Sequence, residues 1–525
     1  MDTKALRQKV LDLAIRGKLV PQDPNDEPAS VLLEHIRQQK QQMVKEGKLK
    51  AKDIKNDTVI FVGEDNLHYE KFADGSVKCI EDEIPFDLPE GWAWARLQSI
   101  TSILTDGTHK TPQYSDDGYI FLSSRNVTTG KIDWDNIMYI PETLHQELYT
   151  RLAPKVGDIL LAKNGTTGVA AIVDREEVFD VYVSLALIRI VENTVDPAYV
   201  LRAIGSSYIQ DYFNGSLKGI GVPNLHLEHI RKVLIPIPPH TEQFRIVLSA
   251  DMLLPLVEQI TADEAELRCL VSASKSKILD LAIRGQLVPQ NLSDEPASAL
   301  LERIRAEKEE LIKQGKIKRD KKESVIFRGE DNSYYVCQDT HTESIDEQFV
   351  FELPDNWEWC SLLNIAKIEL GKTLDSAKNT GDNYPYLRSV NVRWNEVDLS
   401  DLKEMRFEPE ELDRYTVRQN DLLICEGGDV GRSCVWTDEK EILYQNALHR
   451  VRFYSECNPF YFMYYMMYYE SRGIIKALCK GVTIKHLTGN VLSLIPFALP
   501  PLEEQTRIVE RLNRIFALLD SIICD

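Results

Sequence analysis

Two long stretches of the chain carry apolar residues at helical spacing, with polar residues between them. In residues 242–284 the apolar positions are Ile246, Leu253, Leu256, Val257, Ile260, Leu267, Leu270, Ile278 and Leu281. In residues 504–523 they are Ile508, Val509, Leu512, Ile515, Leu518, Leu519 and Ile522. Such spacing puts the apolar side chains on one helix face, which predicts two long helices that pack on each other as an antiparallel pair. The alternative is two helices packed on separate domain cores.

Between these helices, short apolar runs alternate with turn residues. Residues 158–173 read Asp-Ile-Leu-Leu-Ala, then a turn with Gly-Thr-Thr-Gly, then a second apolar run, which predicts a β-hairpin. Residues 421–436 repeat that order and predict a counterpart hairpin. Two further apolar runs, residues 195–212 and 457–478, predict helices. We therefore expect an α+β fold with two such domains.

The chain repeats itself at the scale of a domain. LDLAIRGKLVPQ at residues 11–22 matches LDLAIRGQLVPQ at residues 279–290, which begins 268 positions later. LIPIPPHTEQFRIV at residues 234–247 corresponds to LIPFALPPLEEQTRIV at residues 494–509. A repeat of this length is a duplicated domain and not a solenoid module of about 20–50 residues.

Between the matched flanks the two copies diverge, over residues 84–239 and 350–501. A shared frame with different contents indicates a duplicated scaffold that presents two different surfaces. The C-terminus stops about where the N-terminus begins within the repeat, so one copy of the junction is split between residues 504–525 and 2–16. We therefore predict that the two copies close into a circular pseudo-two-fold arrangement.

Composition and charge narrow the function classes. No apolar run is long enough to cross a bilayer and the first residues lack a secretory leader. The nine cysteines are scattered singly, which is typical of a protein in a reducing cytoplasm. The formal net charge of −20 counts against nucleic-acid binding. Whole-chain charge, however, describes solubility and steering, and an acidic protein can still offer a local basic surface.

Two tetrapeptides at corresponding places superficially resemble a methyltransferase loop. They are Asp196-Pro-Ala-Tyr and Asn458-Pro-Phe-Tyr, and each opens an apolar helical run. Asp or Asn as a helix N-cap, followed by Pro at the first helical position, explains both. No glycine-rich nucleotide fingerprint, metal-ligand spacing or catalytic constellation stands out. We therefore predict no catalytic residue, no metal site and no cofactor in this chain.

Polar loops lie at corresponding places in the two divergent segments. Their Lys, Arg, Thr, Ser and Asn side chains are those that clamp phosphates and bond to base edges. The predicted DNA-contacting residues of the first segment are Thr108, His109, Lys110, Thr111, Tyr114, Ser124, Arg125, Asn126, Lys218 and Asn224. Those of the second segment are Lys372, Thr373, Lys378, Arg388, Asn391, Arg393, Lys480 and Lys485. For any one of them, an ordinary surface loop is the competing interpretation.

Over nearly its whole length the chain resembles the specificity (S) subunit of type I restriction-modification enzymes. The resemblance rests on several motifs together, each weak alone: the paired segments 238–247 and 500–509, the LPxxWxW sequences, the DGTHKTPQY and EGGDVGR loops, and the LDLAIRGxLVPQ repeats. It implies two target-recognition domains, each reading one half of a split, asymmetric double-stranded DNA site. It also implies helical regions that act as a ruler and bind two methyltransferase (M) subunits.

The resemblance further implies that chemistry lies on partner subunits. The M subunits would carry S-adenosylmethionine and methylate adenine, and the restriction (R) subunits would bring ATP- and Mg-dependent translocation and cleavage. The corresponding domains are an N-terminal helical region (1–83), a first target-recognition domain (84–240), a central helical spacer region (241–348), a second target-recognition domain (349–502) and a C-terminal helix that pairs with the central helix (503–525).

Two other function classes stay open. The acidic charge favours a bivalent protein-interaction scaffold that does not bind DNA, and salt dependence of binding would separate it from a DNA reader. An autonomous methyltransferase would bind S-adenosylmethionine as the isolated chain. The chain departs from many relatives in the helical segment at residues 2–55, which precedes the first LPxxWxW motif, so the partner surfaces are not assigned to residues.

Overall fold

The structure is a computed structural model that describes residues 2–128, 130–217, 223–319, 324–338, 341–345, 351–375, 379–454, 457–479 and 486–524. The chain divides into two compact units, Met1–Asp263 and Glu264–Asp525, called unit 1 and unit 2 below. Each unit mixes helices with strands, which confirms the predicted α+β class. The finer domain boundaries stay predictions.

Unit 1 holds the following elements. The helices are α1 (Thr3–Ile15), α2 (Ala29–Lys45), α3 (Ala51–Ile54), α4 (Glu142–Arg151), α5 (Pro197–Ile204), α6 (Ser207–Gly215), α7 (Leu227–Lys232) and the first part of α8 (His240–Ile283). The strands are β1 (Val59–Val62), β2 (His68–Lys71), β3 (Val77–Cys79), β4 (Ala93–Arg96), β5 (Thr101–Asp106), β6 (Tyr119–Leu122), β7 (Met138–Ile140), β8 (Ile159–Ala162), β9 (Ala170–Ile172), β10 (Phe179–Val181), β11 (Leu185–Ile190) and β12 (Leu234–Ile237).

Unit 2 follows a similar order, with added short strands and, among its described residues, no α-helix that corresponds to α3 or α4. Its helices are the second part of α8, α9 (Ala297–Lys313), α10 (Leu362–Ile365), α11 (Pro459–Ser471), α12 (Ile474–Leu478), α13 (Gly489–Leu494) and α14 (Leu502–Cys524). Its strands are β13 (Ser324–Arg328), β14 (Tyr334–Gln338), β15 (His341–Ser344), β16 (Glu358–Ser361), β17 (Ala366–Leu370), β18 (Asp382–Leu387), β19 (Val392–Arg393), β20 (Glu396–Val397), β21 (Lys403–Phe407), β22 (Thr416–Val417), β23 (Leu422–Cys425), β24 (Ser433–Val435), β25 (Ile442–Tyr444), β26 (Leu448–Phe453) and β27 (Pro496–Leu499).

The two units share their sheet topology. An antiparallel sheet in the order β5-β11-β8-β9 in unit 1 corresponds to β17-β26-β23-β24 in unit 2. A second sheet contains one parallel pair in each unit, β6 with β10 and β18 with β25. The predicted hairpins are confirmed as β8–β9 and β23–β24. Both faces of β8 and β23 are buried, as their continuous apolar sequences require.

The long helices pair within each unit at the same register. In unit 1, Arg7 on α1 forms an ion pair with Glu258 on α8 at 3.2 Å. In unit 2, Lys275 on α8 forms an ion pair with Asp520 on α14 at 2.5 Å. The apolar stripe beneath the first of these pairs consists of Val10, Leu11, Ala250 and Leu254. Both ion pairs are at least a quarter exposed, so the apolar contacts contribute most of the stability.

Each run predicted as one helix is in fact two. Residues 195–212 contain α5 and α6, because Gly205 ends the first helix and the Ser206 hydroxyl caps the second. Residues 457–478 contain α11 and α12, because Gly473 takes a positive φ of 72° between them. The interpretation of the tetrapeptides as caps is confirmed: the Asp196 side chain accepts from the Ala198 N–H at 2.8 Å.

A set of contacts, most of them buried, recurs in the two units. The Trp92 indole donates to Glu242 at 3.0 Å, and the Trp357 indole donates to Glu504 at 3.0 Å. Three further contacts repeat in the same way: Arg245 with Asp26 and Arg507 with Asp294, Gln243 with the Pro238 carbonyl and Gln505 with that of Pro500, and Tyr199 with the Pro236 carbonyl and Tyr461 with that of Ala498. We call this set the frame contacts. Throughout the described part of the chain, every helix is too short or too polar to span a lipid bilayer.

Candidate nucleic-acid interface

In unit 1, loops from distant parts of the sequence meet at one end of the sheets. The loop after β5 is fixed by two backbone hydrogen bonds: the Thr108 N–H donates to the Val181 carbonyl at 3.1 Å, and Val183 donates to the Thr108 carbonyl at 3.0 Å. The turn after β8 is fixed in the same way, because Leu225 donates to the Lys163 carbonyl at 2.9 Å. These bonds fix the loop that begins at Thr108 and bring Asn224, next to Leu225, to the turn after β8.

Unit 2 builds the same end with the same backbone bonds. The Lys372 N–H donates to the Tyr444 carbonyl at 3.1 Å, as Thr108 does to Val181 in unit 1. Leu487 donates to the Glu426 carbonyl at 2.9 Å, as Leu225 does to Lys163. The two units therefore present equivalent loops on equivalent backbones, although the loop sequences differ.

Two glycines allow the close approach of these loops. A Cβ atom added at Gly107 would lie 1.9 Å from the Val181 carbonyl oxygen, and one added at Gly371 would lie 2.2 Å from that of Gln445. Real Cβ atoms do not approach an oxygen so closely, so each position requires glycine. These glycines precede Thr108 and Lys372, and they are the sequence signal by which the two loop starts could have been matched.

A buried ion pair supports the loops of unit 1. The Lys163 ammonium, 5% exposed, lies 2.6 Å from the Asp106 carboxylate. Lys163 begins the turn after β8 and Asp106 ends β5, so the pair ties two loops together at their base. A charged pair with so little water access is held by its geometry, and loss of Lys163 would leave the buried Asp106 carboxylate with only a long contact, 3.4 Å, to His109 Nε2 among its described side-chain partners.

Unit 2 has a different ion cluster at this place. Lys372, also 5% exposed, contacts the carboxylates of Glu408 and Glu411. Glu408 also accepts from the Thr380 N–H at 2.9 Å, so one carboxylate holds both ends of residues 372–380. The hydrogen bond from Lys372 lowers the pKa of Glu408 to about 2. Sequence reasoning missed these acids because they lie far along the chain from the lysine that they hold.

The structure separates the predicted site residues by exposure. Those whose side chains reach solvent are His109, Lys110, Thr111, Tyr114, Arg125, Thr373 and Arg393. Those that are half-buried are Ser124, Asn224 and Arg388. Those that are buried are Thr108, Asn126, Lys372 and Asn391. The remaining four, Lys218, Lys378, Lys480 and Lys485, lie outside the described residues. Contact of the exposed side chains with DNA stays a prediction.

The two buried asparagines hold their own loops. The Asn126 side chain accepts from the Ser123 N–H at 3.0 Å, and its amide donates to two carbonyls of residues 133–136. Asn391 repeats this pattern with the Arg388 N–H at 2.9 Å and two carbonyls of residues 398–401. Because both amide hydrogens and the oxygen are engaged inside the domain, these residues, with Lys372, shape the interface and do not face a ligand.

Among the described residues, the side chains that could bind a metal ion do not cluster. No group of three or more His, Cys, Asp or Glu side chains in this part of the chain is arranged to hold a metal ion. The buried carboxylates Glu242 and Glu504 are used by the frame contacts, and burial raises the pKa of both. What the loops can offer is a polar, exposed surface with different side chains in each unit.

Comparison with known proteins matches this chain to one family. The family model described as type I restriction modification DNA specificity domain matches residues 89–264 and 354–523. The type I restriction enzyme EcoAI specificity subunit of Escherichia coli is 27% identical over 98% of this chain and 88% of its own length. The EcoEI specificity subunit of Escherichia coli is 27% identical over 99% of this chain and 90% of its own length.

The fold is also shared with a solved structure. A chain from a study of complex assembly and conformational transition of the type I R-M system superposes with a TM-score of 0.52 at 20% identity. The match covers 84% of this chain and 93% of that chain. At this identity the likeness concerns the fold alone, and it agrees with the two-unit α+β architecture described above.

Proposed function

The chain belongs to the family of type I restriction-modification DNA specificity domains, and from this premise we propose that it is the non-catalytic DNA-reading subunit of such a system. Unit 1 reads one half of a split target and unit 2 reads the other. The chain also holds methyltransferase and restriction subunits around the DNA. Because both units belong to one scaffold, the distance between them sets the separation of the half-sites.

One observation carries this proposal: the two units set different exposed side chains on the same backbone. The loop after β5 displays Lys110, Thr111 and Tyr114 in unit 1, whereas the equivalent loop of unit 2 displays Thr373. A module that reads sequence must vary its surface without varying its frame, because phosphate contacts position the reader and base contacts specify the site. Two surfaces on one frame are suited to two unlike half-sites.

An exposed apolar stripe on α8 of unit 1 supports the binding of partner subunits. Phe244, Leu248, Met252 and Leu256 follow each other at intervals of four residues and are 53–65% exposed. Exposed apolar stripes of this kind mark protein interaction sites. In this proposal the stripe contacts a methyltransferase subunit, and S-adenosylmethionine, ATP and Mg²⁺ are bound by the partner subunits and not by this chain.

A mobility-shift experiment tests the proposal. The target is first found by methylation-sensitive sequencing of a host that carries this gene and its neighbours. The full chain is then mixed with a duplex of that target and with a scrambled duplex, in the presence and absence of the methyltransferase subunits. We expect a complex that prefers the target by at least a hundredfold. Absence of any sequence-preferring complex in both conditions would rule the proposal out.

The alternative of a bivalent protein scaffold has one observation in its favour, the net charge of −20. Salt titration distinguishes the two functions. Binding to DNA releases counterions, so log K falls steeply and linearly with log salt concentration. A protein partner held through the apolar stripe would show little salt dependence.

A further inference from the structure

Unit 2 contains an open cleft of about 1560 Å³ between the end of α9, the edge strand β17 and the start of α13. Among the described residues, seven Lys or Arg side chains line it, including Lys316, Lys318, Lys367 and Arg414, against two carboxylates. The carboxylates are already engaged by cations: Glu309 pairs with Arg319 at 2.6 Å, and Glu369 pairs with Lys367 at 3.0 Å. In a chain of net charge −20, this local excess of cations stands out.

Larger side chains stand at two equivalent positions of unit 1. There, Arg231 on α7 reaches across to donate to the Leu104 carbonyl at 3.1 Å, and Leu227 packs against the core. The residues of unit 2 that stand 262 positions later are Ser493 and Gly489, and both line the cleft. Two positions that line the cleft of unit 2 thus carry smaller side chains than their counterparts in unit 1.

The cleft begins beside the recognition loops. His449 on β26 lines it and bonds through Nε2 to the Leu487 carbonyl at 2.8 Å, and Leu487 in turn is fixed to Glu426. The other ring nitrogen of His449 is buried and has no hydrogen-bond partner among the described residues. From this inner end the basic lining extends along β17 to Lys316 and Lys318, which are exposed at the rim.

We propose that this cleft binds phosphate groups of the DNA backbone next to the half-site that unit 2 reads. The inference rests on the proposed function and adds to it a contact outside the recognition loops that unit 1 does not make. Lysine and arginine side chains along an open groove are suited to phosphates, and such contacts add affinity without reading bases. The shared chemistry is phosphate, which a free nucleotide could also supply.

The test uses the full chain with its methyltransferase partners and compares two double variants. Lys316→Glu with Lys318→Glu reverses the charge at the rim of the cleft. Lys48→Glu with Lys50→Glu makes the same change at the corresponding positions of unit 1 and serves as the matched control. All four lysines are exposed, so neither variant disturbs a core. Binding to a duplex of about 40 base pairs is followed by fluorescence anisotropy over a series of salt concentrations.

We expect the cleft variant to bind both the target and an unrelated duplex at least tenfold more weakly at about 0.1 M salt. The slope of log K against log salt should fall by about 2, since each lost phosphate contact removes about 0.9. The control variant should change affinity less than twofold. Equal losses in the two variants, or no loss in either, would overturn the proposal.

A second measurement distinguishes the binding of a free phosphate compound from the binding of the DNA backbone. Wild-type protein is titrated with ATP and with inorganic phosphate in a calorimeter. Binding that disappears in the cleft variant while DNA affinity is unchanged would assign the cleft to a free phosphate compound and overturn the backbone contact. If the wild type shows no salt-dependent DNA binding, the proposed function itself fails. If the wild type binds its target and the cleft variant does so equally well, only the cleft proposal fails.

Discussion

The ion pairs that hold the recognition loops where they leave the sheets differ between the two units, although the surrounding backbone is equivalent. In unit 1 a lysine after β8 meets an aspartate at the end of β5, Lys163 with Asp106. In unit 2 the lysine is at the start of the other loop, Lys372, and glutamates after β21 hold it. The backbone hydrogen bonds around both clusters are equivalent.

The difference shows which part of the structure is free to change. Buried charges need a partner, but the partner can come from any neighbouring element. Glu426 occupies in unit 2 the place of Lys163 and is only half-buried, so it needs no such partner. The two units thus support their loops with different ion pairs on equivalent backbones.

The largest expected effect comes from breaking the ion pair of unit 1. Lys163→Met leaves the Asp106 carboxylate buried without its cation and should lower the free energy of unfolding of unit 1 by about 3–5 kcal/mol. Denaturation in urea, followed by circular dichroism, measures this. Glu426→Met is the matched change in unit 2 and should cost less, about 1 kcal/mol, because the Glu426 side chain is only half-buried. Similar losses in both variants would show that the pair has no special role.

The exposed arginines should separate the two readers. Arg125→Ala is expected to weaken binding to the target by about 1–3 kcal/mol and to relax preference in one half-site only, and Arg393→Ala in the other. Competition with duplexes altered in each half-site checks this. A uniform loss over all duplexes would identify the residue as a phosphate contact. Relaxation of the same half-site by both variants would contradict the assignment of one half to each unit.

The frame contacts give a smaller difference between the units. Trp92→Phe removes the indole N–H that donates to Glu242, while Trp357→Phe leaves Glu504 with a second donor, Gln290, at 2.6 Å. An unsatisfied buried group costs about 1–3 kcal/mol. Trp92→Phe should therefore destabilise its unit more than Trp357→Phe does. Urea titration monitored at 222 nm compares them, and an equal cost would mean that Gln290 does not compensate.

The smallest effect concerns pH and the loop of unit 2. The pKa of Glu408 is lowered from 4.5 to about 2 by its hydrogen bond with Lys372. A carboxyl with a depressed pKa stabilises the fold fully above its ordinary value and loses that contribution as the pH falls toward the folded value. Pepsin cleavage near residues 372–380 should thus accelerate between pH 4.5 and pH 2. Glu408→Gln should be cleaved at a rate that varies less over this range; unchanged pH dependence would refute the role of Glu408.

Local patterns in the sequence predicted much of the fold. The β8–β9 hairpin and its counterpart follow from apolar runs interrupted by glycine turns, and the caps at Asp196 and Asn458 follow from their adjacent prolines. The breaks within residues 195–212 and 457–478 were missed because apolar residues continue across Gly205 and Gly473. A short break leaves the average periodicity almost unchanged, while capping and φ decide where a helix ends.

The candidate site was harder to predict because its contacts join distant positions. A polar loop residue can face solvent or turn inward, and only the fold decides. Arg125 and Asn126 are neighbours, yet one is exposed and the other is buried with its amide fully bonded. The residue type of Lys372 predicts a DNA contact. In the structure its ammonium instead contacts Glu408 and Glu411, which follow 36 and 39 positions later.

The frame contacts also bear on how such a protein can diversify. Gln243, Gln505, Tyr199 and Tyr461 all bond to main-chain carbonyls, which every residue type supplies. A foreign segment of suitable length could therefore replace the loops without losing these anchors. Under the proposed function, one recognition surface can then be exchanged as a cassette while the other unit keeps the preference that it has inherited.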